Sequence, residues 1–215
     1  GCMGSLGPRN INPETKRPYG LDFPVITIKD MVRSQESLLD HLGIKKLLCA
    51  TGGSMGGMQL LQFCVTFPEK TFSAIPIACS SSHSAQNIAL NELARQAIMA
   101  DPVWDNGKYV LKNVQPKNGL AVARMVGHIS YLSEKGMQEK FGRNLQEKAD
   151  YEFSFNADIQ DDSYLRHRGS SLAERFDANS ILYITRAMDY FALTKQFKGG
   201  LTEAFNNQQT KFLVI

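Results

Sequence analysis

The sequence has none of the common patterns that hold a metal ion or a nucleotide. It contains no HExxH or CxxC motif, no GxGxxG after a candidate strand and no Walker motif, and its four histidines are scattered. The adjacent acids Asp161 and Asp162 fit a solvated loop better than a metal site. We therefore expect no metal and no permanently bound cofactor.

Long apolar runs and a large net charge are also missing. No stretch approaches the roughly 18 apolar residues of a membrane-spanning helix, and the first residues do not resemble a signal peptide. We therefore predict no membrane partner. The formal net charge is only +3, which gives no case for a nucleic-acid partner.

Cysteine is scarce, and its spacing does not indicate a disulfide framework. The four cysteines are Cys2, Cys49, Cys64 and Cys79. Three of them lie in apolar strand or helix candidates, where a reduced cysteine packs as a small apolar side chain. This favours a reducing compartment and predicts a cytoplasmic protein.

What the sequence does contain is one serine surrounded by glycines. Residues 51–58 read TGGSMGGM and include Gly52-x-Ser54-x-Gly56, the pattern of a nucleophile elbow. A strand candidate (46–50) precedes the pattern and an apolar helix candidate (58–67) follows it. The pattern predicts that Ser54 lies at a strained turn, and that Gly52 and Gly56 let neighbouring backbone pass close to it.

Acyl transfer requires this arrangement. A helix that begins at Met55 directs its unpaired N–H groups and its positive dipole end at the serine oxygen. The N–H of Met55 can then stabilise an oxyanion. The alternative is a chance GxSxG in a glycine-rich turn, but the flanking strand and helix favour a nucleophile.

An alternation of apolar strands and helices predicts an α/β fold with a parallel sheet. Strands are predicted at 44–50 and 72–79, and a helix capped by Thr27 and ended by Gly43 precedes the first. The run 211–215 predicts a further strand of the same sheet.

Between residues 80 and 208 the pattern is helical, with no convincing strand. Helices are predicted at 84–100, 118–133, 163–173 and 179–192, and loops at 101–107 and 150–162. We predict three parts: a partial core at 1–83, a helical lid at 84–195 and a return to the core sheet at 196–215. The chain opens on a loop and closes on a strand, so we expect both ends to be cut.

Two polar residues stand out on the helix predicted at 118–133. Arg124 and Tyr131 are seven residues apart and share one face of a mostly apolar helix. A guanidinium in such a place requires a carboxylate or phosphate partner. The partner can be a ligand or an acid of the lid, and the pattern does not decide between them. Near residue 177, the turn before the last helix predicts capping by Asp177 or Asn179 and an Arg–Asp pair.

A serine nucleophile also needs a base and an orienting acid. In an elbow enzyme these follow in the order serine, acid, histidine, after later strands. None of the four histidines, His41, His83, His128 and His167, follows a late strand, and each is interpreted as structural or surface. We therefore expect the catalytic Asp and His to lie beyond Ile215.

Six motifs together resemble one known family. They are GSLGP (4–8), INPET (11–15), PYGLDFP (18–24), GSMGGMQ (53–59), RFDANS (175–180) and TRAMD (185–189). In this order, over nearly all 215 residues, they resemble the homoserine O-acetyltransferases, acyltransferases of methionine biosynthesis. The resemblance implies an α/β-hydrolase fold, here partial, with an inserted helical lid.

The resemblance also implies a site and a reaction. An acetyl group would pass from the co-substrate acetyl-CoA to Ser54, the nucleophile, and then to the hydroxyl of L-homoserine. Met55 matches the oxyanion-hole residue, and Arg124 and Tyr131 match the substrate-site residues. A homodimer formed through the lid is the expected assembly.

Family members are longer than this chain. We expect the second oxyanion-hole donor to lie before Gly1, and the 215 residues alone to be inactive. A succinyl donor, serine as acceptor, an esterase of the same fold or a non-catalytic module remain as alternatives.

Overall fold

The computed structural model describes residues 4–145 and 159–215. The chain divides into two compact units. Unit 1 takes the described residues of Gly1–Pro24 and Ala89–Leu182, and unit 2 takes Val25–Ile88 and Tyr183–Ile215. The domain bounds expected from the sequence (1–83, 84–195 and 196–215) stay a prediction.

The described residues form eight α-helices and three strands, besides 3-10 segments. The helices are α1 (Ile28–His41), α2 (Met55–Thr66), α3 (Ala85–Ala100), α4 (Lys117–Tyr131), α5 (Glu134–Lys140), α6 (Gln160–Ala173), α7 (Ala178–Tyr190) and α8 (Gly200–Ala204). The strands are β1 (Leu47–Gly53), β2 (Thr71–Ile77) and β3 (Lys211–Phe212). None of these helices is both long enough and apolar enough to cross a bilayer.

The strands form one sheet in unit 2, in the order β1-β2-β3, with both pairs parallel. This confirms the predicted parallel sheet. Strand β1 starts and ends three residues later than predicted, because Gly52 and Gly53 pair with Pro76 and Ile77 and carry the strand up to the serine. Glycines have little intrinsic strand preference, so the extension depends on the partner strand.

Helices α1 and α2 complete the αβαβ order of unit 2. Thr27 and Asp30 form a capping box at the start of α1: the N–H of Asp30 donates to Thr27 Oγ1 (3.2 Å) and the N–H of Thr27 donates to Asp30 Oδ2 (2.9 Å). The hydrogen bonds that Asp30 Oδ2 accepts from the Thr27 hydroxyl (2.6 Å) and from the Thr27 N–H lower the pKa of Asp30. At the other end, Gly43 has a φ of +70° directly after the cap, as predicted for the stop.

Unit 2 has two apolar clusters. One is built from Ile28, Met58, Phe191 and Leu193, and the other from Leu60, Cys64 and Ala74. Burial raises the pKa of the Cys64 thiol to about 11, so that cysteine is a neutral packing residue.

The helical segment agrees with the predicted positions of α3, α4, α6 and α7 to within a few residues. The loop predicted at 101–107 is wrong: Pro102–Leu111 forms 3-10 turns, broken by Asp105, Asn106 and Gly107 in left-handed backbone conformations. The loop predicted at 150–162 lies largely outside the described residues, although Gln160 and the two residues after it already belong to α6.

A buried polar network stabilises unit 1. The Tyr109 hydroxyl donates to Asp177 Oδ1 (2.5 Å) and accepts from the N–H of Asn179 (2.9 Å). The Asn179 side chain accepts from Trp104 Nε1 (3.0 Å) and donates to the Gly107 carbonyl (3.1 Å). Burial and the Asp177 carboxylate raise the pKa of Tyr109 well above its usual range, so the phenol stays a donor.

The same acid caps α7, as predicted. Asp177 Oδ2 accepts from the N–H and the hydroxyl of Ser180, both at 2.8 Å. The Arg–Asp pair predicted in this turn is wrong, because Arg175 donates instead to the Ser171 carbonyl (3.3 Å).

Candidate active site

Ser54 lies at the turn between β1 and α2, with φ 52° and ψ −119°. This conformation is strained for a residue with a Cβ and costs about 1–3 kcal/mol. The backbone around it is fixed, because the N–H of Ser54 donates to the Ile77 carbonyl (2.9 Å) and its carbonyl accepts from the N–H of Met58 (3.1 Å). The side chain is exposed and makes no capping hydrogen bond to α2. The hydroxyl is therefore presented at the carboxyl edge of the sheet.

Close backbone packing around this turn depends on Gly52, as predicted, and on Gly57, in place of the predicted Gly56. A Cβ at Gly52 would overlap the carbonyl group of Gly56 and lie 3.0 Å from the Gly57 nitrogen. A Cβ at Gly57 would lie 2.5 Å from the Cβ of Cys79. A Cβ at Gly56 would meet nothing within 4 Å, so the predicted need for glycine at that position is wrong. The backbone of Gly56, and not its missing side chain, is what approaches Gly52.

Met55 is the first residue of α2. Its N–H belongs to the first turn, where backbone donors have no acceptor within the helix. The positive end of the helix dipole lies at the same point. Its side chain packs against the cluster that contains Ile28 and Met58, and this contact anchors the start of the helix. This arrangement can stabilise negative charge that develops beside Ser54.

The segment that follows β2 lies at the same edge of the sheet. Ala78 has a positive φ of 45°, and Cys79 packs against Gly57 of the elbow. Burial raises the pKa of the Cys79 thiol, so this neighbour of the elbow stays protonated and is a poor nucleophile. Ser54 is therefore the nucleophile candidate at this edge.

His83 is held by Asp189, near the end of α7, with His83 Nδ1 and Asp189 Oδ1 3.2 Å apart. The interpretation of His83 as a structural residue agrees with this contact. An isolated antiparallel β-bridge between Ser82 and Ala192 also holds the loop that contains His83. Within the described part of the chain, no histidine hydrogen-bonds to Ser54, so the structure brings no base to the serine.

Arg124 and Tyr131 both lie on α4, in unit 1, as the sequence predicts. Arg124 is half-buried and forms no ion pair with any acid among residues 4–145 and 159–215. An internal salt bridge is therefore not found within those ranges. Tyr131 ends the helix with 76% of its surface exposed.

The sequence reasoning missed His128 as a neighbour of these two residues. His128 is four residues after Arg124 and three before Tyr131, so all three share one face of α4. Its Nδ1 lies 3.3 Å from the Tyr164 hydroxyl of α6. Burial and the nearby cation of Arg124 lower the pKa of His128. The spacing of His128 four residues after Arg124 indicates their shared face from the sequence. The contact with Tyr164 of α6 is evident only in the structure.

No group of three or more potential metal ligands comes together in the described parts of the chain. A family model for the α/β-hydrolase fold matches residues 8–168, more than half of the chain. The chain belongs to the α/β-hydrolase fold family. The predicted fold class is thereby confirmed.

The resemblance drawn from the six motifs is confirmed as well. The homoserine O-acetyltransferase of Pelagibacter ubique is 61% identical over 215 residues, which are 100% of this chain and 58% of that protein. The crystal structure of homoserine O-acetyltransferase from Bacillus anthracis matches with a TM-score of 0.87 and 27% identity, over 98% of this chain and 56% of that one. The chain thus spans little more than half the length of these relatives.

A second kind of α/β-hydrolase is also similar. The crystal structure of esterase E22 matches with a TM-score of 0.82 and 29% identity, over 98% of this chain and 66% of that one. Similarity in fold therefore extends to a protein named as a hydrolase, and the fold alone does not separate the two chemistries.

Proposed function

We propose that the complete protein containing this chain transfers an acetyl group from acetyl-CoA to the hydroxyl of L-homoserine, through an ester on Ser54. The observation that carries the proposal is the strained Ser54 elbow in a chain that is 61% identical over its whole length to a homoserine O-acetyltransferase. The product would serve methionine biosynthesis in the cytoplasm.

The first half of the reaction forms the acyl-enzyme. A histidine from the further length of the protein takes the proton of Ser54 Oγ, which attacks the thioester carbonyl. The N–H of Met55 stabilises the oxyanion at the start of α2. The carbon–sulfur bond then breaks, and CoA leaves as the thiol with the proton returned by the histidine.

The second half transfers the acyl group. The same base takes the proton of the homoserine hydroxyl, whose oxygen attacks the Ser54 ester, and Ser54 leaves with a proton restored. The Arg124 guanidinium binds the homoserine carboxylate, a role supported by its lack of an acidic partner within the described ranges. Tyr131 adds a hydroxyl at the end of the same helix.

We also propose that the protein is a homodimer formed through its helical segment. Helix α4 exposes the apolar side chains of Val122 and Ile129, which a partner surface would cover. Sedimentation of the complete protein tests this directly, and a monomer at micromolar concentration would contradict it.

The test of the reaction uses the complete protein and its Ser54→Ala variant. Incubation with acetyl-CoA alone should add the mass of one acetyl group to the wild type and none to the variant. Addition of homoserine should remove it and release O-acetylhomoserine. Ser37→Ala, on the exposed surface of α1, is the matched control and should retain full activity. Normal turnover by Ser54→Ala would refute the role of Ser54.

Analysis of the products also separates the alternatives. The similarity to esterase E22 favours hydrolysis as the second candidate, and free acetate in the presence of saturating homoserine would establish it. Succinyl-CoA in place of acetyl-CoA, and serine in place of homoserine, test the donor and the acceptor in the same assay.

A further inference from the structure

Unit 1 contains a group of cationic and aromatic side chains around Tyr164, on helices α4 to α6. We call His128, Lys140, Phe141, Tyr164 and Arg168 the Tyr164 cluster. Lys140 Nζ lies 4.4 Å from the centre of the Tyr164 ring, and Arg168 Cζ lies 5.2 Å from it. The rings of His128 and Phe141 pack against the same ring, with centroids at 5.4 and 4.9 Å.

Among the described residues, no acid forms an ion pair with the positive charges of this cluster. Neither Lys140 nor Arg168 forms an ion pair with a carboxylate within residues 4–145 or 159–215. Cation–π contacts hold the two charges near one ring but leave the net charge in place. Both side chains belong to exposed residues, so an anion from solvent can reach them.

His128 adds a buried ring nitrogen that has no hydrogen-bond partner among the described residues. Its Nε2 is buried and makes no hydrogen bond in the described part of the protein. If the Tyr164 hydroxyl donates to Nδ1, the proton of the neutral ring must lie on Nε2. A buried donor without an acceptor is unfavourable, and an anion would satisfy it.

We propose that the Tyr164 cluster binds a phosphate group in the nucleotide part of the acyl donor. The proposal rests on the proposed function, because that function makes acetyl-CoA the donor. Two permanent cations beside the His128 ring suit the charge of a phosphate better than the single carboxylate of a zwitterionic amino acid. The exposure of Lys140 and Arg168 suits the part of a large donor that remains near solvent.

The kinetic test uses the complete protein with the double variant Lys140→Ala/Arg168→Ala. The KM for acetyl-CoA should rise about tenfold or more, because two charge-assisted contacts are lost. The kcat and the KM for homoserine should not change. With S-acetylpantetheine, which has the thioester but no nucleotide, variant and wild type should be equal. Arg168→Lys, which keeps the charge, should recover part of the affinity.

The matched control is Lys117→Ala/Lys135→Ala, which removes two exposed positive charges from α4 and α5 outside the cluster. It should leave the KM for acetyl-CoA within about twofold. An equal rise in the control would show a general charge effect and overturn the proposal. So would an equal loss with S-acetylpantetheine, or no change in the cluster variant.

A binding measurement distinguishes failure of this proposal from failure of the proposed reaction. Adenosine 3′,5′-bisphosphate should bind the wild type in calorimetric titration and bind the double variant at least tenfold more weakly. If the protein does not acetylate homoserine but this difference is found, the site stands without the reaction. If the reaction is found and the nucleotide binds both proteins equally, the site is refuted and the reaction stands.

Discussion

Among the turns with positive-φ residues, the turn at Ser54 and the turn at residues 105–107 use their side chains differently. In unit 2, Ser54 has a φ of 52°, is exposed and makes no capping hydrogen bond. In unit 1, Asp105, Asn106 and Gly107 follow one another with φ of 46°, 50° and 78°. There, the Gly107 carbonyl accepts a hydrogen bond from buried Asn179 (3.1 Å), and Asp105 pairs with Lys112 (2.8 Å).

The difference shows how strain can be interpreted. A strained residue persists only where its surroundings fix it, and the cost is about 1–3 kcal/mol at either turn. In the unit 1 turn, hydrogen bonds of the fold account for the conformation. At the elbow, the backbone is equally fixed, but no side-chain contact accounts for a serine at that position. We infer that the turn presents the Ser54 hydroxyl, and the following predictions test this interpretation.

The largest effect is expected at Ser54 itself. Ser54→Gly and Ser54→Ala should each lower acyl transfer by at least about a thousandfold, because the nucleophile is gone. Only the glycine variant should gain stability, since glycine accepts a positive φ without strain. We expect Ser54→Gly to exceed Ser54→Ala by about 1 kcal/mol in the free energy of unfolding, measured with denaturant. Equal stability would mean that the turn is not strained.

At the unit 1 turn we expect the main effect on stability, whereas at Ser54 we expect it on activity. Tyr109→Phe removes a hydroxyl that serves both Asp177 and Asn179, and leaves Asp177 Oδ1 and the buried Asn179 N–H without that partner. We expect a loss of about 2–4 kcal/mol in the free energy of unfolding of the complete protein. Tyr131→Phe is the matched control, because Tyr131 is exposed, and it should change stability by less than about 0.5 kcal/mol. Similar losses in both variants would contradict the network.

The adjacent glycines Gly56 and Gly57 should differ in how much stability is lost when each is replaced by alanine. Gly57→Ala places a methyl group against the Cβ of Cys79, which is too close to its own backbone to move cheaply, and should cost about 1–3 kcal/mol. Gly56→Ala points into open space and should change stability by about 0.5 kcal/mol or less. Thermal unfolding of the two variants measures both, and equal losses would refute the packing described for Gly57.

Much of the fold and the elbow itself could be predicted from the sequence, because the patterns that indicate them are local. The GxSxG pattern between an apolar strand and an apolar helix predicts the elbow, and Thr27 predicts the start of α1. The parallel sheet followed from the order of strands and helices. These features depend on residues within one or two turns of each other, or on the order of neighbouring elements.

The missed features depend on partners distant in the chain. Gly57 is required because of Cys79 on the segment after the next strand, and Tyr109 is tied to Asp177, 68 residues later. The position of His128 on the face of α4 could be predicted from its spacing. Its contact with Tyr164 of α6 could not. Spacing shows which residues share a face, and only the fold shows what lies opposite that face.

The smallest expected effect concerns His128. Burial, followed by the cations of Arg124, Arg168 and Lys140, lowers its pKa below the usual 6.5. The unfolded chain therefore binds a proton at this site more readily than the folded one. The stability that comes from neutral His128 is present above pH 6.5 and is lost as the pH falls toward the folded-state pKa.

NMR titration of the His128 ring should give a midpoint below 6.5 in the wild type. The midpoint should rise toward 6.5 in Lys140→Ala/Arg168→Ala, since two of the three repelling charges are removed. It should stay at the wild-type value in Lys117→Ala/Lys135→Ala. A midpoint that does not move in the first variant would mean that burial alone lowers the pKa and that the two cations do not act on the ring. A shift confined to that variant would show that charges on α5 and α6 act on a histidine of α4, as a cationic cluster requires.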